Sequence, residues 1–149
     1  MISRRTFLLS TLATAALAAT GFPANAASET LDVYKTPWCG CCTAWVDHMR
    51  EAGFAVRVTE LDDLEPLKSA HGISADLASC HTALIGGYAI EGHVPAADVA
   101  RLLRERPEAA GLAVPGMPMG SPGMEMDGHT EPYDVVLFGP GTRTVFARY

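Results

Sequence analysis

The four cysteines are the residues of this 149-residue chain whose spacing points most directly to chemistry. Cys39, Cys41 and Cys42 fall within four consecutive positions, and Cys80 lies much further along the chain. Thiolate sulfur is a soft ligand that favours Cu(I), zinc or iron–sulfur clusters over hard cations. Three thiolates this close together suit a metal that accepts bridging sulfur, as Cu(I) does, whereas zinc is more usually held by two separated pairs of ligands. The spacing therefore predicts a soft-metal site, with Cu(I) favoured over zinc.

Structural disulfides are the alternative interpretation of the same residues if the protein is exported. Adjacent cysteines cannot bridge without a strained peptide, so the three clustered cysteines are expected to share one outside partner, Cys80. One disulfide is compatible with this spacing, and two unstrained disulfides are not.

A third interpretation is an enzyme, a thiol–disulfide or copper oxidoreductase that uses Cys39, Cys41, Cys42 and Cys80 as redox partners.

The first 26 residues have the pattern of an export signal. Residues 3–8 match the twin-arginine motif S-R-R-x-F-L, a short apolar run follows, and residues 24–26 offer an A-x-A cleavage site. A membrane anchor is the alternative, but the apolar run is shorter than the roughly 20 residues that a spanning helix needs. We therefore predict a twin-arginine signal peptide over residues 1–26 and a mature periplasmic domain over residues 27–149. The net charge of −6 argues against a nucleic-acid partner or, after signal removal, a membrane partner.

Apolar periodicity and turn residues predict an α/β domain. Gly86-Gly87 joins two short apolar runs, which is typical of a β-hairpin. Strands are predicted at 31–35, 54–59, 82–85 and 88–91, and helices at 41–52, 62–71 and 95–106. The order β-α-β-α-β-β-α is that of a thioredoxin-like core, with the cysteine motif at the start of its first helix. Residues 107–132 have no periodicity and are predicted as a Met-rich loop, and strands at 133–138 and 144–147 predict an added C-terminal hairpin.

The predicted fold places the chemistry at the start of the first helix. The N–H groups and dipole there stabilise thiolate and lower the pKa of cysteine. In a thioredoxin-like fold the loop before the third strand faces the same point, so Cys80 is expected beside the other three cysteines. No proline lies between Pro66 and Pro95, so the cis-proline of that loop has no counterpart. Its absence argues against ordinary disulfide-exchange catalysis.

Two histidines are weaker candidate ligands. His81 follows Cys80 directly, and His93 returns to the cysteine end of the sheet if the fourth strand is antiparallel to the third. For each, a hydrogen-bonded structural histidine is the alternative. His48 and His71 lie on predicted helices, where we expect solvated side chains.

Methionines in the predicted loop are the remaining candidates for metal contact. Met117, Met119 and Met124 lie among glycines and prolines that exclude a core helix. Thioethers bind Cu(I), and a loop this long is more often functional than a passive connection. The alternative is that these methionines fill gaps where the loop packs on the domain.

Several motifs together carry a resemblance to a known family. These are residues 34–42 (YKTPWCGCC), 78–82 (ASCHT), 92–94 (GHV) and 114–124 (VPGMPMGSPGM). The chain resembles the CopG-like periplasmic copper-resistance family across essentially the whole predicted mature domain. The resemblance implies a thioredoxin-like fold and a multinuclear Cu(I)–thiolate site made by Cys39, Cys41, Cys42 and Cys80. It also implies a role in copper tolerance, as a copper-binding or a redox protein, alongside other periplasmic copper-handling proteins.

Overall fold

A computed structural model describes residues 29–126 and 128–149, so the predicted signal peptide lies outside the described residues. The described chain forms a mixed α/β fold with a seven-stranded sheet and three helices. The elements in chain order are β1 (Leu31–Lys35), α1 (Gly40–Glu51), β2 (Val56–Glu60), α2 (Glu65–Ala70), β3 (His81–Ile85), β4 (Tyr88–Glu91), α3 (Ala96–Glu105), β5 (Gly111–Ala113), β6 (Asp134–Gly139) and β7 (Thr142–Arg148). The first seven elements follow the predicted β-α-β-α-β-β-α order. No helix among them is long and apolar enough to cross a membrane.

The sheet has the order β2-β1-β3-β4-β5-β6-β7. β1 is parallel to β2 and antiparallel to β3, and β3 is antiparallel to β4. Because β3 begins where β1 and β4 end, the segment before β3 lies at the same end of the sheet as the segment after β1 and the segment after β4. The register pairs Lys35 with His81 and Thr82 with Glu91. This end of the sheet therefore receives all the candidate cysteines and histidines of the sequence analysis.

β5 corrects the prediction that residues 107–132 have no regular structure. It runs parallel to β4 and antiparallel to β6, and so joins the C-terminal hairpin to the rest of the sheet. Gly111 packs so closely on β4 that a Cβ atom there would collide with the backbone of Ala89. A three-residue strand that begins with such a glycine shows no alternation, which is why periodicity missed it.

The central strands β3, β4 and β5 are buried on both faces of the sheet. Adjacent residues of β4, Ala89 and Ile90, belong to different apolar clusters, because successive side chains point to opposite faces of a strand. On one face, the larger cluster is formed by α1 and α3 together with sheet residues, and Trp45 is its largest fully buried side chain. The smaller cluster is closed by Ile73 and Leu77, which lie between α2 and β3.

Three details of the helices differ from the predictions. α2 begins at Glu65 rather than at residue 62, and the carboxylate of Asp63 accepts the Glu65 N–H at 2.9 Å. His48 is half-buried rather than solvated, and its Nε2 accepts the Ala96 N–H at 3.1 Å. That contact satisfies one of the free N–H groups at the start of α3 and ties α3 to α1. His71 is half-buried at the end of α2.

Candidate metal centre

The loop after β1 delivers the cysteine motif to the start of α1. Cys39 is the N-cap residue, with extended backbone angles of φ −82° and ψ 97°, and its N–H donates to the carbonyl of Thr36 at 3.2 Å. Gly40 opens the helix, so Cys41 and Cys42 lie in its first turn. Trp38, just before the motif, is 72 % exposed, whereas Cys42 is fully buried. The motif therefore bridges the protein surface and the core.

All four sulfurs meet at this point. The Sγ atoms of Cys39, Cys41, Cys42 and Cys80 lie within 4.8 Å of one another. Cys41 Sγ is 3.5 Å from Cys39 Sγ and 3.8 Å from Cys80 Sγ, although Cys80 comes from the loop before β3. The structure thus brings together the four cysteines that the sequence analysis named.

Cys39 and Cys42 form a disulfide, and Cys41 and Cys80 are free thiols. The expectation that the clustered cysteines share Cys80 as their disulfide partner is therefore wrong for this state. The pair has Cys-x-x-Cys spacing, and the first turn of α1 holds its Cα atoms 5.4 Å apart, within the usual range for a disulfide. The sequence contained a signal for this disulfide, because Cys39 and Cys42 have Cys-x-x-Cys spacing, although Cys41 lies between them.

His93 presents a nitrogen lone pair to the cluster. Its Nε2 lies 3.1 Å from Cys80 Sγ, and its Nδ1 lies 2.8 Å from the carbonyl oxygen of Pro122. A carbonyl only accepts hydrogen bonds, so Nδ1 carries the proton and neutral His93 directs an unprotonated Nε2 at the sulfur. Burial lowers the pKa of His93, which favours this neutral form. A histidine whose other nitrogen donates to a carbonyl is the arrangement that metal sites use to orient a ligand.

His81 is the second histidine beside Cys80 and is fully buried, with its ring 5.0 Å from the His93 ring. Its Nδ1 is 3.4 Å from Cys80 Sγ, its ring lies 4.5 Å from the Trp45 ring, and its Nε2 has no hydrogen-bond partner among the described residues. Burial holds the pKa of His81 well below its usual range, and the neighbouring His93 and Lys68 lower it further. Cys80, His81 and His93 therefore form a second group of donors that shares one sulfur with the cysteine cluster.

Cys80 itself is protonated at neutral pH in the metal-free protein. Burial raises the pKa of its thiol to about 12, and the adjacent Cys41 adds to the rise. This rise is opposite to the lowering of the pKa that the sequence analysis expected for cysteines at the start of the first helix. A metal that binds Cys80 as thiolate must displace this proton.

The stability of the metal-free protein is expected to fall as the pH drops below about 6.5, the ordinary pKa of histidine. In this range the unfolded chain protonates His81 while the folded chain keeps it neutral, because its folded pKa is depressed. The free energy of unfolding should then decrease by up to about 1.4 kcal/mol per pH unit for this residue. Urea unfolding midpoints between pH 5 and 7 measure the slope, and His81→Gln should flatten it. A slope that is identical in this variant would show that His81 is not buried in its neutral form.

The Met-rich loop returns to the cluster through its backbone. Pro122 supplies the carbonyl that orients His93, and Gly123 packs on the first turns of α1. A Cβ atom on Gly123 would lie 2.7 Å from the backbone nitrogen of Trp45, and the Gly123 φ angle of +85° favours glycine. Of the candidate methionines, Met117 is 52 % exposed, and Met119 and Met124 are half-buried.

A buried network behind Cys80 was missed in the sequence analysis. Lys68 and Glu91 form an ion pair with almost no solvent exposure, and Thr82 hydrogen-bonds to both side chains. Burial raises the pKa of Glu91, and Lys68 opposes that rise. One signal was available for Lys68, since it lies four residues after Leu64, the buried N-cap residue of α2, and therefore on the same face of the helix.

The donor set fits a soft metal ion. The site combines four cysteine sulfurs with an oriented imidazole lone pair, and among described residues no carboxylate belongs to the group. Thiolate and imidazole suit Cu(I) and zinc, whereas hard cations require oxygen ligands. In the oxidised state two sulfurs are in the disulfide, so only two thiols and the histidines remain available.

Comparison with known proteins shows which solved structures this chain is similar to. Two solved structures match, described as "Copper resistance protein copG- Form 2" and "Copper resistance protein copG- Form 1". The first is 43 % identical with a TM-score of 0.77, and the match covers 81 % of this chain and 98 % of that chain. The second is 44 % identical with a TM-score of 0.76, over 80 % of this chain and 96 % of that chain. The chain belongs to the CopG-like copper-resistance family.

The predicted family resemblance is therefore confirmed. A family model described as "Protein of unknown function, DUF411" matches residues 77–124, which run from the loop containing Cys80 to the end of the Met-Pro-Gly segment. No curated protein matches the sequence. Within this CopG-like chain, the matched residues include Cys80, His81, His93 and Pro122, whereas Cys39, Cys41 and Cys42 lie outside the match.

Proposed function

We propose that this protein captures Cu(I) in a thiolate cluster made by Cys39, Cys41, Cys42 and Cys80, and that this capture serves copper tolerance. The observation that carries the proposal is the convergence of the four sulfurs within 4.8 Å of one another. It occurs in a chain more than 40 % identical to proteins described as copper-resistance proteins. After reduction of the disulfide, all four cysteines supply thiolate, and His93 supplies an imidazole nitrogen.

Cu(I) is favoured over zinc by the copper-resistance relatives and by the sequence spacing of the cysteines. Three cysteines within four residues suit the bridging of several ions by sulfur, which Cu(I) accepts. Structural zinc sites more usually draw their ligands from two separated pairs. His81 and the loop methionines Met117, Met119 and Met124 are the further donors that we propose for additional copper ions.

We place this activity in the periplasm. In this proposal residues 1–26 are a twin-arginine signal, and residues 27–149 are a thioredoxin-like metal-binding domain that folds before export. Folding first would allow the four thiols to assemble while they are still reduced. Other periplasmic copper-handling proteins are the partners expected to deliver or receive the metal.

Copper binding by the reduced protein tests the proposal directly. Under nitrogen, the protein should compete with a chromophoric Cu(I) chelator, and Cys80→Ser should bind fewer ions and release copper to weaker chelators. His71→Gln is the matched control, because His71 is the C-cap residue of α2 and is not among the residues whose donor atoms group with the sulfurs, and this variant should behave as the unmodified protein. Wild-type protein that takes no Cu(I) from the chelator would refute the proposal. Unchanged stoichiometry and affinity in Cys80→Ser would remove Cys80 from the cluster.

A second candidate function is favoured by the Cys39–Cys42 disulfide. As a copper oxidoreductase, the reduced pair would give one electron to each of two Cu(II) ions. The products are two Cu(I) ions, the disulfide and two protons, so electrons and atoms balance. Anaerobic addition of Cu(II) should then consume two thiols for every two Cu(I) ions formed. If the reduced protein neither accelerates Cu(II) reduction nor reduces a disulfide substrate, the enzymatic function is excluded.

A further inference from the structure

The Glu91 carboxylate is fully buried at the end of β4, and its partner Lys68 is 4 % exposed. Burying a charge pair costs free energy unless the pair is closely matched and its remaining hydrogen-bonding capacity is satisfied. An apolar pair of similar size would often be as stable. The proposed copper capture uses neither charge directly, so the contacts of the carboxylate indicate what it does.

The carboxylate of Glu91 contacts residues on both sides of Cys80 in the sequence. Glu91 Oε1 accepts the backbone N–H of Ser79 at 2.6 Å, and Oε2 accepts the hydroxyl hydrogen of Thr82 at 2.6 Å. Lys68 Nζ donates to Oε1 and, at 3.1 Å, to Thr82 Oγ1. One carboxylate thus holds the residue immediately before Cys80 and the second residue after it, and the lysine fixes the carboxylate.

This attachment restrains the backbone on either side of Cys80 in the sequence, and the Cys80 sulfur contacts two separate parts of the chain. Cys80 Sγ lies 3.8 Å from Cys41 Sγ on α1 and 3.1 Å from His93 Nε2 after β4. No proline stiffens the segment that carries it. Glu91 also precedes His93 by two residues, so a single side chain couples the position of Cys80 to the strand that presents the imidazole.

We propose that Glu91, held by Lys68, is a positioning residue that fixes Cys80 for metal capture. The inference rests on the proposed Cu(I) function, and it assigns a role to charges that contact no metal. Groups that orient a metal ligand typically contribute 10- to 100-fold to metal affinity. Replacing the pair should therefore weaken copper binding through Cys80 and not through the other cysteines.

The test replaces the pair without leaving an isolated charge. The double variant Lys68→Met/Glu91→Met should bind Cu(I) at least about tenfold more weakly. Lys68→Met/Glu91→Gln retains an acceptor for the Ser79 N–H and should recover most of the affinity. In a Cys80→Ser background, Lys68→Met/Glu91→Met should have no further effect. An equal loss with and without Cys80 would overturn the proposal.

Urea unfolding midpoints of the same proteins distinguish a positioning role of Glu91 from a purely structural one. Asp98→Leu is the matched control, because Asp98 is another buried carboxylate, 5 % exposed, whose Oδ2 accepts the Tyr149 hydroxyl hydrogen. It should lower stability and leave the Cu(I) affinity of the folded protein unchanged. If Lys68→Met/Glu91→Met does not fold, Thr82→Val removes the hydroxyl contact alone. It should weaken Cu(I) binding only when Cys80 is present, and an affinity equal to wild type would contradict the proposal.

A metal-free measurement distinguishes this inference from the proposed function. In Cys41→Ser protein with the Cys39–Cys42 disulfide intact, Cys80 is the single free thiol. Adding Lys68→Met/Glu91→Met should raise its rate of alkylation by iodoacetamide severalfold, because the segment is released. If wild-type protein binds no Cu(I) but this rate rises, the copper proposal fails and the positioning of Cys80 stands. An unchanged rate would mean that Glu91 does not hold Cys80.

Discussion

Reducing the Cys39–Cys42 disulfide is expected to raise the affinity for Cu(I) by more than about 100-fold. The oxidised protein offers the free thiols of Cys41 and Cys80 with His93, whereas the reduced protein offers four thiols. Groups that only orient a ligand are worth 10- to 100-fold in affinity, so the loss of two direct thiolate ligands should cost more than this. Competition with a chromophoric chelator under nitrogen, on both forms, measures the ratio.

Free-thiol titration and a cysteine variant provide the controls for this prediction. The oxidised sample should contain two free thiols and the reduced sample four. Cys39→Ser/Cys42→Ser protein has no disulfide to reduce, so its Cu(I) affinity should be the same with and without prior reductant treatment. Equal affinities for the oxidised and reduced wild-type protein would mean that Cys39 and Cys42 do not bind the metal.

This redox dependence follows from the way the site is assembled. The helix N-terminus brings three cysteines together, but the same turn lets two of them form a disulfide. The fourth cysteine approaches from the loop before β3, and burial, together with the adjacent Cys41, raises the pKa of its thiol to about 12. Copper binding, thiol oxidation and proton release are therefore linked at Cys80 and its neighbours.

The core of the fold could be predicted because its local signals agree. Strand β1 has alternating burial along its whole length, and Gly86-Gly87 joins β3 to β4 as expected. The antiparallel pairing of β3 with β4 is what returns His93 to the cysteine end of the sheet. The proximity of Cys80 and His93 to the motif thus followed from topology alone.

Other features depend on contacts that no local pattern encodes. Strand β5 exists because Gly111 allows close approach to β4, and three residues are too few to show a period. The Pro122 carbonyl reaches His93 only after the Met-rich loop has folded back, and sequence gives no distance across a loop of that length. In the sequence, Glu91 resembles any polar residue at the end of a strand. Its burial depends on partners that lie on α2 and on both sides of Cys80 in the chain.

Trp45→Ala is expected to lower the free energy of unfolding by about 3 to 5 kcal/mol, the usual cost of truncating a large aromatic core residue. The Trp45 side chain is fully buried, and its Nε1–H donates to the Val94 carbonyl at 2.9 Å. Alanine would leave a cavity in the larger apolar cluster and an unsatisfied carbonyl beside His93. Since small domains have only about 5 to 15 kcal/mol of stability, a large fraction would be lost.

Urea unfolding of the metal-free, disulfide-bonded protein measures this loss, and Trp38→Ala is the matched control. Trp38 is 72 % exposed, so its removal should change stability by no more than about 0.5 kcal/mol. Trp45→Phe separates packing from hydrogen bonding. It keeps an aromatic ring in the core but leaves the Val94 carbonyl unpaired, which costs about 1 to 3 kcal/mol. Because the Trp45 ring also packs against the His81 ring at a tilt, both Trp45 variants should loosen the imidazoles beside Cys80 and weaken Cu(I) retention. Equal losses of stability for Trp38→Ala and Trp45→Ala would contradict the assigned core.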